Sequence, residues 1–445
     1  MNSQELLYSE ATAFLFSKLP VYEKIGAVAY KPDLQSIEAF DEYFGFPHRQ
    51  YKTIHVAGTN GKGSVSHILA SVLQSAGYKV GLFTSPHLKD FRERIRVNGE
   101  KISMEEVTDF VVRHKAKIEE LQPSFFEMTA SLAFSHFARQ AVDVAIIEVG
   151  MGGRLDATNV IQPIMSIITN IGMDHCEHLG NSLTAIATEK AGIIKAETPV
   201  VIGERQDETS PVFEAKAKAL NAPLFYADRY VQVESVYIQG NMQCFAVVVP
   251  DSLFPVNLQL DLQGSYQQKN IVTSLTAVHV LRHCKNSNKN PCFKIEYKAL
   301  YQGLSKVVSQ TGLRGRWETL SKRPLLICDA GHNAHGLKET MEQLKEIPCR
   351  RLHFVLGVVK DKDLDSMLPL LPADAYYYFT KADILRALDP HELAQRCSEY
   401  GLRGQIIQTV PNAVKIAKSN AYPDDIIFIG GSTFVVAEAI DDNEQ

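Results

Sequence analysis

His55-Val56-Ala57-Gly58-Thr59-Asn60-Gly61-Lys62-Gly63-Ser64 decides the fold of this chain. The apolar run Ile54 to Ala57 reads as a buried strand. Downstream, Val65, Ile68, Leu69, Val72 and Leu73 recur at i, i+3, i+4, i+7 and i+8, a helical stripe that Gly77 stops. Strand, glycine-rich loop and helix in that order make a phosphate cradle. Gly58, Gly61 and Gly63 let main-chain N–H groups close around phosphate oxygens, Lys62 neutralises the β/γ charge, and Ser64 at the helix start offers a hydroxyl to Mg²⁺. The expected ligand is ATP, held by Gly58, Thr59, Asn60, Gly61, Lys62, Gly63 and Ser64. The loop departs from G-x-x-x-x-G-K-[ST] twice, with Val56 in place of the first Gly and Gly63 inserted between Lys62 and Ser64. That argues against an ordinary GTPase or kinase.

A chain of 445 residues has room for two or three domains, each with its own core. Hydrophobic residues at 45% and charged residues at 22% fit a globular protein and exclude a disordered or fibrous one. The formal charge of −5 gives no general field for nucleic acid, so an anionic substrate must be held by local cations. The cysteines, at 176, 244, 284, 292, 328, 349 and 397, are odd in number and never spaced C-x-x-C. They read as thiols in a reducing compartment rather than a disulfide or zinc framework. Met1 to Leu19 carries Glu5, Glu10 and Lys18 around a short apolar patch, too broken for a signal peptide, and no segment has the length of a membrane span. A cytoplasmic protein without membrane or nucleic-acid partners is expected.

Val80 to Thr84, Val144 to Val149 and Ile164 to Thr169 are near-continuous apolar runs, the pattern of parallel strands covered on both faces. From about Val200 to Leu262 the texture becomes alternating, with a Gly240-Asn241 turn between Val231 to Val236 and Cys244 to Val249, which predicts a small antiparallel addition. Helical pattern returns at Asn270 to Leu281, and a polar, Lys-rich passage with one helix-like piece runs from Asn286 to Arg314. A second alternation follows, with strands at Leu325 to Cys328, Leu352 to Val358, Ala375 to Phe379, Ile406 to Thr409 and Ile426 to Ile429. The fold class is therefore α/β: a P-loop-type, mostly parallel sheet domain with an antiparallel addition over residues 1–308, and a smaller Rossmann-like α/β domain over 309–445.

Other reactive residues fall at strand ends. Glu148 closes an apolar strand just before glycines, where P-loop enzymes keep a metal-holding acid, although a strand-end Glu can also simply face water. His175 follows another strand and Ser85 a third, so that each is a candidate ligand. Leu183, Ile186, Ala187 and Lys190 share one helix face, which puts Lys190 on the apolar side. Buried, its neutral amine could capture CO₂ as a carbamate; spacing alone favours a lysine that snorkels to water. Phe91 to Val97 alternates, which would set Arg92, Arg94 and Arg96 in one row before the Asn98-Gly99 turn, to grip carboxylates or to blunt a solvated edge. Phe125-Phe126-Glu127-Met128-Thr129 opens a helix, with rings that could sandwich a flat heterocycle or pack as core. Asp329-Ala330-Gly331-His332-Asn333 is a strand-to-helix turn that faces a ligand in such sheets.

Together these residues resemble the folylpolyglutamate synthase/dihydrofolate synthase family, within the Mur-type ligases. The matching pieces run almost the length of the chain: Gly58 to Ser64, Thr84 to Leu88, Glu93 to Glu100, Phe126 to Thr129, Glu148 to Asn159, Thr169 to His175, Glu189 to Gly192, Gly264 to Asn270, Gly315 to Trp317, Asp329 to Asn333, Asp361 to Asp363 and Gly430 to Ser432. The resemblance implies an ATP-dependent ligase that adds L-glutamate to a dihydropteroate or tetrahydrofolate carboxylate through an acyl phosphate. It implies that Ser64, Ser85, Glu148 and His175 organise two Mg²⁺ ions and that Lys190 is carbamoylated beside them. Asn270, Arg316, Asp329 and His332 would bind ATP, with Lys62, Lys190 and His332 serving the chemistry. Arg94, Phe126 and Glu127 would lie at the pterin. A monomer is expected. A cell-wall Mur ligase is the nearest rival, disfavoured because only Met1 to Ala57 precede the loop; a non-catalytic ATP-binding regulator is disfavoured by Lys62, Glu148, His175 and Lys190 occurring together.

Overall fold

The computed structural model describes residues 3–18, 33–249, 255–283 and 293–440. Met1, Leu19, Cys284, Cys292 and the start of the Lys-rich passage lie outside them. The chain forms two compact units: Met1–Asp261 with Gln267–Leu313, and Leu262–Tyr266 with Arg314–Gln445. The passage before Arg314 holds two helices, Tyr297–Leu304 and Val307–Thr311, where one helix-like piece was expected. The second stays with the first unit because Asp261 accepts from the N–H groups of Val307 and Val308, and His67 pairs with Thr311.

The first unit is built on an eight-stranded sheet. Its strands are β1 (Lys52–Ala57), β2 (Val80–Phe83), β3 (Ile95–Val97), β4 (Glu100–Lys101), β5 (Val144–Glu148), β6 (Met165–Ile168), β7 (Val200–Ile202) and β8 (Leu224–Tyr226). The order is β4-β3-β2-β5-β1-β6-β7-β8, parallel except where β3 and β4 fold back at one edge. Central strands are buried along almost their whole length, as their unbroken apolar sequence requires. The register sets the site: Val56 lies beside Glu148, and Ala57 beside Ile168, so the segments leaving β1, β5 and β6 emerge together.

The antiparallel addition starts later than expected. Residues 200–226 continue the parallel sheet through β7 and β8, with helix Ser210–Ala219 between them. Only then come β9 (Gln232–Gln239), β10 (Met242–Val248) and β11 (Val256–Leu260), in the order β11-β10-β9. The β9–β10 turn is the expected Gly240-Asn241, with Gly240 in the left-handed region at φ 65°.

The second unit has a six-stranded sheet ordered β12-β13-β17-β14-β15-β16. The strands are β12 (Glu318–Lys322), β13 (Leu325–Cys328), β14 (Leu352–Leu356), β15 (Tyr376–Phe379), β16 (Arg403–Ile406) and β17 (Ile426–Gly430), parallel except for β12. Phe354, Tyr377, Phe428 and Trp317 fill its core. The expected strand at Ile406 to Thr409 lies earlier, at Arg403–Ile406. It is a sheet edge made of polar residues, which hydrophobic pattern does not mark.

Candidate active site

The glycine-rich loop leaves β1 and ends in helix Lys62–Ser75, whose N-cap Gly61 provides no side-chain cap. The first N–H groups of that helix are thereby available to an anion. Two glycines are required by close approach. A Cβ on Gly58 would overlap the Thr169 side chain, and one on Gly61, at φ 82°, would overlap the Asn270 amide. The segment leaving β6 clamps the loop. Thr59 Oγ1 accepts from Gly172 N at 2.9 Å and donates to Gly172 O at 3.1 Å, Asn60 N donates to Asn170 Oδ1 at 2.9 Å, and Thr169 Oγ1 donates to Asn60 O at 2.5 Å. Thr169 and Asn170 were not singled out from sequence as loop-holding residues; their signal was position, at the end of the strand beside β1. Lys62 folds back so that Nζ donates to Gly58 O and Thr59 O at 3.1 and 3.2 Å.

Ser85 and Glu148 come together: Glu148, only 3% exposed, accepts from Ser85 N at 3.1 Å. Ser64 is buried at the helix start and its Oγ accepts from Gln267 Nε2 at 3.3 Å. His175 sits past β6 at φ 51°, its Nε2 3.9 Å from Asp174. Among the described residues, no three His, Cys, Asp or Glu side chains group into a metal cage. The buried Glu148 carboxylate, bonded to Ser85 N, is instead one hard oxygen donor of an incomplete set. That suits Mg²⁺, which keeps waters and takes phosphate oxygens for the rest of its octahedron.

Lys190 ends helix Leu183–Lys190 and does not snorkel. It is 4% exposed, and Nζ donates to Gly58 O at 2.8 Å. Burial, reinforced by the charge of Lys62, pulls its pKa from 10.5 to about 7 against the opposing pull of Asp174 and Asp156. The amine is therefore substantially neutral near physiological pH, which spacing alone did not favour.

The arginine row is corrected. Asp90 and Glu93 form a capping box that winds Phe91–Arg94 into a 3₁₀ turn, so strand alternation starts only at Ile95. Arg92 turns to Asp90 at 2.7 Å, and Arg96 donates to Gly99 O at 2.9 Å. Arg94 is buried, donates from Nε to His87 Nδ1 at 2.8 Å, and lies 5.3 Å from the Phe125 ring centre. Glu127 is likewise half of a capping box, accepting from Ser124 N at 2.6 Å to start helix Phe125–Arg139. The Phe126 ring fills the space a Cβ on Gly150 would need, which sets it beside the end of β5. Asp156, absent from the expected set, is buried and anchors this loop by accepting from Met151 N and Thr158 N at 2.9 and 3.0 Å.

In the second unit Asp329 follows β13. Its carboxylate accepts from Tyr266 Oη at 2.6 Å, Trp317 N at 2.8 Å and Gly331 N at 2.8 Å. Burial raises its pKa, while Tyr266 and Arg316 oppose the rise. Arg316 NH1 donates to Gly315 O at 3.2 Å. His332 donates from Nδ1 to Ala330 O at 3.0 Å. Asn333 caps helix Ala334–Lys345 through Gly336 N.

The Mur ligase middle domain family matches residues 56–278, and the Mur ligase glutamate ligase domain family residues 315–433. The dihydrofolate synthase/folylpolyglutamate synthase of Bacillus subtilis is 32% identical over 449 residues, covering 97% of this chain and 98% of that protein. A Haloferax volcanii protein named "Probable bifunctional folylpolyglutamate synthase/dihydropteroate synthase" is 33% identical over 97% of this chain; the chain spans only 50% of that relative's length. The solved structure of Mycobacterium tuberculosis folylpolyglutamate synthase with ADP and AMPPCP superposes with a TM-score of 0.86 at 29% identity, covering 98% of each chain. With these likenesses running through both units, the chain belongs to the folylpolyglutamate synthase/dihydrofolate synthase family of ATP-dependent, amide-forming ligases.

Proposed function

We propose that the chain joins the amine of L-glutamate to a carboxylate borne by a pterin, and that it accepts both dihydropteroate and the γ-carboxylate of a tetrahydrofolate glutamate. The observation that carries this reading is the convergence on one loop: Lys62 and Lys190 both reach Gly58 O, and the Ser85–Glu148 pair ends the strands alongside. Such an arrangement suits transfer of a γ-phosphoryl group to a carboxylate, a reaction that needs charge neutralisation and alignment rather than a nucleophilic side chain. Carboxylate attack on the γ-phosphorus gives an acyl phosphate and ADP; the amine of glutamate then adds to the acyl carbon, phosphate leaves, and the amine proton is lost.

In this reading Lys62 swings from Gly58 and Thr59 to the β/γ oxygens, and the uncapped helix N–H groups hold phosphate. Ser64, Ser85, Glu148 and His175 would hold two Mg²⁺, which would supply charge neutralisation at the transferring phosphoryl group. The neutral amine of Lys190 captures CO₂, forming an N–C bond with loss of one proton, and so gains a carboxylate that reaches further than Asp or Glu. Asn270, Arg316, Asp329 and His332 contact the nucleotide. Phe126 stacks on the pterin, while Arg94 and Glu127 shape its site. No helix among the described residues is long and apolar enough to cross a membrane; the enzyme acts as a cytoplasmic monomer.

The test is to incubate the protein with MgATP and L-glutamate and with each pterin separately, and to weigh the products. Glutamylated product from both pterins is expected. Product from one alone would end the bifunctional reading, and ATP hydrolysis without any amide product would end the ligase reading for these substrates.

A further inference from the structure

Gln267 opens helix Gln267–His283 and its side chain is wholly buried. A buried amide must satisfy an acceptor and two donors, so its orientation is set by its neighbours. Asn270, one turn along, donates from Nδ2 to Gln267 Oε1 at 2.8 Å. With Oε1 committed to Asn270, the NH₂ end faces Ser64, where Nε2 donates to Oγ at 3.3 Å. The other end of Asn270 continues the chain, since Oδ1 occupies the space a Cβ on Gly61 would need. Two buried amides thus link Gly61, the N-cap of the phosphate-loop helix, to Ser64 in its first turn. The match over Gly264 to Asn270 marked this segment in the sequence, but the bond from Gln267 to Ser64, 203 residues away, carries no local pattern.

We propose that Gln267 is a positioning residue for the Ser64 hydroxyl. It fixes the oxygen in place and, by donating to it, turns the hydroxyl proton away, so that a divalent cation arriving with the nucleotide meets a lone pair held in one direction. The assignment rests on the reading of Ser64 as a metal ligand.

The experiment measures ADP affinity calorimetrically in EDTA and again at saturating Mg²⁺, for the full chain and for Gln267→Met, Gln267→Glu and Ser64→Ala. The quantity of interest is the factor by which Mg²⁺ tightens ADP. Gln267→Met preserves volume but removes the donor to Ser64 together with the acceptor of Asn270, so ADP affinity in EDTA can fall through Asn270 while the Mg²⁺ factor itself should drop about fivefold, the worth of one ordinary hydrogen bond. Gln267→Glu keeps the shape but accepts the Ser64 proton, frees a second lone pair and adds negative charge, so it should raise the factor. A merely structural role would move both variants the same way and would lower affinity equally with and without Mg²⁺; either result overturns the proposal. Should Gln267→Met fail to fold, an unchanged or lowered factor in Gln267→Glu overturns it alone. Ser64→Ala separates the two layers. If it leaves the factor intact, the ligand reading of Ser64 is what fails; if it abolishes the factor while Gln267→Met does not alter it, the positioning role fails by itself.

Discussion

Lys190→Met should make the protein more stable and inactive at once. The lysine pKa falls from 10.5 to about 7 because burial, then Lys62, disfavour the ammonium. At ~1.4 kcal/mol per pH unit, such a displacement corresponds to roughly 5 kcal/mol between the two protonation states. The sign follows from proton counting. Between about pH 7 and 10.5 the unfolded chain holds the proton and the folded chain does not, so unfolding takes up a proton and stability rises with pH. Below that window both states are protonated and the whole penalty is present; above it the penalty is gone. Near pH 7.5 about 4 kcal/mol of it remains, and the hydrogen bond to Gly58 O returns about 1 kcal/mol. Methionine has similar volume and no charge to desolvate, so the variant should gain about 3 kcal/mol, which is roughly 4–6 °C in Tm for a unit of about 300 residues. Thermal unfolding in metal-free, degassed buffer would measure it at steps from pH 7 to 9.5. The gain over the unmodified protein should shrink as pH rises. A lower Tm for Lys190→Met, or a difference that stays flat across those steps, would refute the claim that the lysine is buried against its charge. Ligation should meanwhile be lost, and Lys190→Arg should not restore it, because a guanidinium remains protonated and cannot capture CO₂.

Two further outcomes follow from the site geometry. Gly61→Ala places a Cβ at φ 82° into the Asn270 amide and should weaken ADP binding at least about tenfold in calorimetric titration; unchanged affinity would mean the loop tolerates a shape it does not show. Tyr266→Phe removes one of three donors to the buried Asp329 carboxylate and should cost about 1–3 kcal/mol, read as faster amide exchange at Gly331 and Trp317. Exchange rates equal to those of the unmodified protein would show that the turn does not depend on Tyr266.

The parallel strands were legible because burial on both faces writes itself as unbroken apolar sequence, as in Val144–Glu148 and Ile426–Gly430. The phosphate loop was legible because phosphate geometry demands glycines at fixed places. What escaped had other causes. Arg92 and Arg94 looked like strand residues until the Asp90–Glu93 capping box wound them into a turn, a local side-chain choice that overrides alternation. β7 and β8 are three-residue strands, too short to carry a period, so they were read into the antiparallel addition. β12 and β16 are edges whose residues face water. Lys190 sits on a helix only two turns long, and whether such a lysine snorkels depends on the P-loop carbonyl above it, which spacing cannot report. Gln267 acts on Ser64, a partner that only the fold brings near, while Asp156 acts on Met151 and Thr158 in its own loop, which carries no periodic pattern.

The five residues Leu262–Tyr266 interrupt the first unit to serve the second. Leu262 is buried, Ser265 N donates to Gln343 Oε1 at 2.6 Å, and Tyr266 holds Asp329. Genetic recombination at a single junction before Arg314 would therefore yield a mismatched product: a foreign C-terminal unit would meet the old Leu262–Tyr266 piece, and its own would stay behind with the other parent. Exchange between relatives works as a module only when both segments travel together. A chimera that carries residues 314–440 alone inherits a turn at Asp329 whose hydroxyl partner belongs to another lineage.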